Sequence, residues 1–240
     1  MIVYGRNPVR EALRGRRAGA VRDLWASPGA AREPWLAGHE VRVASPEEIA
    51  RRCGSDAHQG MCAEAGPYPY ADAGELLGGA EPLLVVLDQV QDPQNLGSIC
   101  RSAECAGASG VVIPERRAAE VTPAACKASA GAVEHLPVAR VRNLADFLAE
   151  ARRADCWSYG ASAGPGPDGR SPLPYDAPDY AGSGVVLVLG SEGSGLRPRV
   201  ARACDELVAL PLRGQVASLG VSAAAAALLY AILQDRERRG

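Results

Sequence analysis

Five apolar residues, Val185–Leu189, run without a break and give way at once to a glycine-rich stretch, GSEGSGLRP, at 190–198. A short apolar run bounded by turn residues suits a strand buried on both faces, as in a parallel sheet. Gly190, Gly193 and Gly195 let the following backbone approach a ligand closely or take positive φ. One carboxylate, Glu192, lies inside this loop. The segment predicts a charged group and open backbone at the carboxyl end of a buried strand, where open α/β sheets bind ligands. It is neither of the common phosphate-binding loops. The spacing is not G-x-G-x-x-G after a first strand, and no Gly-Lys-Ser/Thr follows. Read by itself, the stretch is also compatible with a turn that only joins two elements.

The rest of the chain supports a sheet of that kind. From Pro82 onward, strand and helix patterns alternate: strands at Pro82–Leu87, Gly110–Ile113, Leu136–Arg140, Cys156–Ala161 and Leu207–Pro211, and helices at Asn95–Ala106, Thr122–Ser129, Leu144–Arg153 and Ser218–Arg236. Such alternation predicts an α/β fold with a mostly parallel sheet covered on both faces. Residues 1–70 read as a separate small α/β unit, with a helix opening at Asn7-Pro8, strands at Val21–Ala26, Glu40–Ala44 and Met61–Ala65, and a helix capped by Ser45. Residues 71–82, rich in Gly, Pro and Ala, read as the linker to a domain at 83–240.

Composition narrows the class. An apolar fraction of 47% fits a soluble globular protein, and no apolar run approaches the ~18 residues of a membrane span. The opening MIVYGRNPVREAL lacks the order of a signal peptide. The seven cysteines form no C-x-x-C pair, which argues against a disulfide framework or zinc site and points to the cytoplasm. The three histidines, 39, 58 and 135, show no ligand spacing, so no metal is expected. A net charge of −2 excludes a globally basic nucleic-acid binder. A local patch remains open: Arg6, Arg10, Arg14, Arg16, Arg17 and Arg22 form either a solvated face or a phosphate-binding surface.

Three segments carry the chemistry. In LDQVQDPQNLGSICRSAECAG, at 87–107, a strand ends at Asp88, Asn95 either caps the next helix or borders a cleft, and Arg101 either pairs with Glu104 or faces a ligand. The Glu192 loop is the second. In the third, LPLRGQVASLGVSAAAAALLY at 210–230, a strand ends at Pro211 and Ser218 is expected to cap an alanine-rich helix whose small side chains permit close packing.

Taken together, N-L-G-x-x-x-R (Asn95–Arg101), G-x-E-G-x-G-L (Gly190–Leu196) and P-L-x-G-x-x-x-S-L (Pro211–Leu219) resemble the three motifs of the SpoU/TrmH-type RNA ribose 2′-O-methyltransferases. VYGRNPVREAL at 3–13 and HQGMCAEA at 58–65 resemble the edges of that family's small substrate-binding domain. The subgroup most resembled is the 23S rRNA guanosine 2′-O-methyltransferases of the RlmB kind. The resemblance implies a deep trefoil knot in the C-terminal domain, which general rules of chain topology would not suggest. It implies S-adenosylmethionine as cofactor, bordered by Leu189, Gly190, Gly195, Leu210, Leu212, Ser218 and Leu219. It also implies RNA as partner and a homodimer formed through the C-terminal domain. Asn95, Arg101, Glu192 and Ser218 match the family's catalytic positions. A guanidinium is not a base near neutral pH, so Arg101 is expected to clamp a phosphate and stabilise developing charge. Lys127, Ser129, Glu134 and His58-Gln59-Gly60 are candidate RNA contacts. Gly220 departs from the motif, because the family places an asparagine there. Alternatives are the same chemistry on tRNA or on an antibiotic-site rRNA nucleotide, and an RNA-binding protein without catalysis.

Overall fold

The computed structural model describes residues 1–216 and 218–239; Ala217, an unspecified position of the third motif, and Gly240 lie outside it. The first unit consists of β1 (Ile2–Tyr4), α1 (Arg6–Ala12), β2 (Val21–Ala26), β3 (Arg42–Val43), α2 (Pro46–Cys53) and β4 (Met61–Ala65), with the sheet order β1-β4-β2-β3. Ser45 caps α2 as its sequence predicts, its hydroxyl accepting from the Glu48 amide at 3.2 Å. The strand expected at Glu40–Ala44 shrinks to two residues on the sheet edge, because its side chains Arg42 and Val43 face solvent.

The second unit runs β5 (Leu83–Asp88), α3 (Pro93–Cys105), β6 (Gly110–Pro114), α4 (Pro123–Ala128), β7 (Val138–Val141), α5 (Leu144–Arg153), β8 (Cys156–Ala161), β9 (Leu173–Pro174), β10 (Gly184–Gly190), α6 (Pro198–Ala203), β11 (Glu206–Ala209) and α7 (Val221–Arg239). The strands pair in the order β7-β6-β5-β10-β8-β11-β9, each pair parallel. Side chains alternate across the sheet. Val85, Leu87, Val185, Leu187 and Leu189 face α3 and α7, while Leu84, Val86, Val186 and Val188 face α5 and α6. The unbroken apolar runs of β5 and β10 follow from this double covering, each buried Val or Leu contributing about 1.5–3 kcal/mol. Gly97 has a packing role. A Cβ there would lie 2.5 Å from the Ala125 carbonyl oxygen, so glycine is what lets α3 close on α4.

Two helix starts differ from the sequence reading. Asp92, not Asn95, caps α3, its carboxylate accepting from the Gln94 amide at 2.9 Å; Asp92-Pro93 is the cap-and-first-turn pair. Helix α7 begins at Val221, after Gly220 at φ +79°, so Ser218 lies in the preceding loop, too early to cap it. No helix among the described residues is long and apolar enough to cross a membrane.

The two units meet along α4 and the single turn Ala132–Glu134. Arg17 and Glu134 are buried there as an ion pair in which Arg17 Nε donates to Glu134 Oε2 at 2.9 Å and the second guanidinium nitrogen reaches Oε1. Arg17 also donates to the Gly66 carbonyl, and the Tyr68 hydroxyl donates to the Val133 and Leu136 carbonyls. Burial works against the Arg17 charge, but hydrogen bonding to Glu134 more than offsets it and holds its pKa above the ordinary value. Lys127 Nζ donates to Gln59 Oε1 at 2.8 Å, and His135 pairs with Glu11. Arg17, Ser129 and Glu134 are thereby removed from the expected RNA surface, since all three are buried. Lys127 and Gln59 bond each other across the junction. Losing one partner strands a buried charge, so Arg17→Leu or Glu134→Leu alone is expected to cost about 3–5 kcal/mol in chemical denaturation. The Arg17→Met/Glu134→Leu double variant should cost far less.

Candidate active site

Parallel pairing puts the carboxyl ends of β5, β10 and β11 on one edge of the sheet, and the three motif segments leave from that edge. The β5–β10 register sets Asp88 directly opposite Gly190. Asp88 is completely buried, and its two carboxylate oxygens accept from the Arg197 amide at 2.8 Å and from Arg197 Nε at 2.6 Å. This residue, which the sequence marked only as a strand end, ties the loop after β10 to the end of β5. Within the loop, Ser191 and Gly195 exchange backbone hydrogen bonds at 3.0 and 3.2 Å, and Gly193 and Gly195 take φ of +85° and +63°. Gly190 faces that turn so closely that a Cβ would lie 2.1 Å from the Gly195 carbonyl carbon. The loop is therefore folded back tightly and holds Glu192 at its exposed tip.

Two cavities open beside it. The first, about 460 Å³, is mainly apolar and has the size of a small-molecule pocket. Leu189, Gly190, Gly195 and Leu210 line it from the strand ends. Leu212, Ser218 and Leu219 line it from the third motif, so all seven residues expected at the cofactor border one space. Ala224 and Leu228 of α7 close its floor. The second, about 350 Å³, is polar and is lined by Gln89, Gln91, Asp92 and Asn95 from the loop after β5 and the start of α3. Ser191, Glu192, Ser194 and Val221 belong to both cavities. At this common wall Asn95 Nδ2 donates to Glu192 Oε1 at 3.2 Å. The bond orients the amide and leaves Asn95 Oδ1 and Glu192 Oε2 able to accept from a ligand.

Of the four expected catalytic residues, Asn95 and Glu192 meet at this wall, and Ser218 lines the first cavity with Glu192. Arg101 does neither. It is exposed on α3 outside both cavities, and among the described residues it pairs with neither Glu104 nor any other carboxylate. Six residues of helix carry it ~240° around and ~9 Å along from Asn95. Gly220 has room beside it: a Cβ would point to within 3.7 Å of Glu192 Oε1 with no closer neighbour.

The donor set suits a ligand with an aromatic and an aliphatic part held mostly by backbone groups, next to a polar acceptor. Gly190→Ala should disrupt both the turn and the first cavity. Calorimetry is expected to show at least tenfold weaker S-adenosylmethionine binding, with a lowered melting temperature, since nothing near the new methyl can move aside cheaply.

Comparison with known proteins agrees with this layout. Residues 82–230 match the SpoU rRNA Methylase family, and residues 2–71 match RNA 2′-O ribose methyltransferase substrate binding. The chain is 42% identical over 188 residues to YacO of Bacillus subtilis, named as a TrmH family tRNA/rRNA methyltransferase, covering 76% of this chain and 73% of the relative. It is 38% identical over 251 residues to an uncharacterized tRNA/rRNA methyltransferase of Mycolicibacterium vanbaalenii, covering 98% and 76%. Among solved structures it is similar to the SpoU methyltransferase AviRb of Streptomyces viridochromogenes in complex with AdoMet. That match has a TM-score of 0.81 at 25% identity and covers 100% of this chain and 91% of the other. An AdoMet-bound rRNA methyltransferase of Sinorhizobium meliloti gives 0.75 at 26% identity, covering 97% and 86%.

Proposed function

Because the chain belongs to the SpoU rRNA methylase family, we propose that it methylates a ribose 2′-hydroxyl of RNA, with a guanosine of 23S rRNA as the target. At the coarser level it is an S-adenosylmethionine-dependent RNA methyltransferase with the knotted α/β fold of that family. The observation that supports methyl transfer to a nucleoside is the wall common to the two cavities, where an apolar pocket suited to the cofactor meets a polar one at Ser191, Glu192, Ser194 and Val221; the 23S guanosine rests on the motif resemblance. The unit at 1–70 is read as the RNA-binding domain, 71–82 as the linker and 83–240 as the methyltransferase domain. The cytoplasm remains the proposed compartment, a reading supported by cysteines that form no C-x-x-C pair in the sequence.

When bound, S-adenosylmethionine supplies a methyl group already activated on a sulfonium. What remains for the protein is to align a weak nucleophile and handle one proton. Alignment can contribute up to about 7–11 kcal/mol. Leu189, Gly190, Leu210, Leu212 and Leu219 would hold the cofactor through apolar and backbone contacts, with Gly195 fixing the loop. Ser218 supplies a hydroxyl at the rim of the same pocket. Glu192 would accept the single proton of the 2′-hydroxyl, and Asn95, through its hydrogen bond to Glu192 Oε1, would hold that carboxylate in place. Arg101, outside both cavities, grips the phosphate backbone beside the target nucleotide with its planar fork.

The homodimer is assigned to the face of α7 and the third motif. Ala223, Ala227 and Tyr230 form one exposed stripe on α7, continuous in sequence with the exposed Val216 and Leu219. Small side chains there let a second helix approach closely.

Ribose-methylation mapping of total RNA from cells with and without the gene tests the target. One 23S rRNA guanosine is expected to lose its methyl in the deletion strain; loss at a tRNA position instead would replace the rRNA reading. Arg101→Lys keeps the charge and loses the fork. It is expected to lower kcat/KM for RNA about 10-fold or more, the value of one charge-assisted bidentate contact, with unchanged cofactor affinity by calorimetry.

A further inference from the structure

Gln89 follows directly on the last residue of β5 and holds φ at +62°, in the left-handed region that a residue with a side chain rarely adopts. The residues on both sides of it are held. Asp88 is pinned by Arg197, and the Val90 carbonyl accepts from the Ala119 amide at 2.8 Å. A glycine would relax the backbone at this point. The glutamine side chain gives the fold nothing in return: it is half-buried, lines the polar cavity, and makes no hydrogen bond among the described residues. Backbone strain held from both sides, with a free polar group facing a cavity, is the pattern found at ligand sites.

The arrangement of the two cavities says which part of a ligand this group meets. With the cofactor in the apolar cavity and the nucleoside in the polar one, as proposed above, the ribose would lie where Ser191, Glu192, Ser194 and Val221 border both spaces. Gln89 and Gln91 border the polar cavity alone, on the side of the β5 loop. That side is where the base attached to the ribose has room. A carboxamide offers donors and an acceptor side by side and can make paired hydrogen bonds to a base edge.

Resting on the methyltransferase reading above, we propose that Gln89 determines base specificity, its carboxamide pairing with the edge of the target nucleobase in the polar cavity. The strained backbone fixes where the amide points. Gln89 takes no part in methyl transfer itself.

Gln89→Gly removes the amide and the strain together, which separates a recognition role from a structural one. The probes are unmodified transcripts of 23S and 16S rRNA and bulk tRNA transcripts, with tritium-labelled S-adenosylmethionine. The variant is expected to keep or raise the melting temperature, to bind S-adenosylmethionine within twofold of the wild type, and to lose about 10- to 100-fold in kcat/KM for the RNA the wild type labels, mostly through KM. Wild-type kcat/KM in the variant would overturn the role of Gln89 and leave the methyltransferase reading standing. A lowered melting temperature with cofactor binding lost in parallel would make the residue structural and overturn it as well. Failure of the wild-type chain to label any of the transcripts would bring down the parent reading, and this one with it.

Discussion

The Asp88–Arg197 ion pair fixes the geometry on which the site depends. Parallel pairing brings the ends of β5 and β10 side by side, but it does not say how the chain leaves them. A carboxylate with no solvent access, bonded to both the amide and the side chain of Arg197, draws the far end of the Glu192 loop back over β5. The loop must then complete its turn within a few residues. It does so through the Ser191–Gly195 pairing and two glycines at positive φ. Glu192 is left at the tip, where Asn95 reaches it from the first turn of α3. One buried carboxylate thus positions a second, exposed one between two cavities.

The junction of the two units has similar physics with a different consequence. The Arg17–Glu134 pair, the Tyr68 hydroxyl and the Lys127–Gln59 bond hold the small sheet against α4, and the apolar core runs continuously from Val3 and Val9 to Cys126 and Val133. Desolvating a guanidinium and a carboxylate is costly unless both stay paired. The front unit therefore has a preferred seat on the larger one. Its remaining exposed arginines, Arg6 and Arg14 among them, are carried in a defined orientation relative to the catalytic edge.

Local signals made much of the fold legible in the sequence. Val21–Ala26, Met61–Ala65, Leu144–Arg153 and Cys156–Ala161 are read from apolar pattern to the same bounds the structure has. Motif order grouped the seven residues expected at the cofactor, and all seven line one cavity. What escaped were partnerships across long separations. Nothing in the sequence around Asp88 names Arg197 as its partner. Arg17 looks like a member of a surface arginine cluster until Glu134 covers it. Asn95 was also open to reading as a helix cap, but Asp92 with Pro93 takes that role and frees the Asn95 amide for Glu192. Ser218 was expected to cap α7, but the turn at Gly220 sets the helix start later. In each case the local chemistry was visible and the choice between partners was made by tertiary structure.

The central claim is that the two cavities work as one reaction space joined at the Ser191–Glu192 wall. A crystal structure of the chain with S-adenosylhomocysteine tests it most directly. The account predicts the adenosine part between the β10 and β11 loops, against Leu189 and Leu210, with the thioether sulfur directed past Glu192 toward Asn95 and the polar cavity. A sulfur facing away from that wall, or a nucleoside bound elsewhere on the sheet, would contradict it.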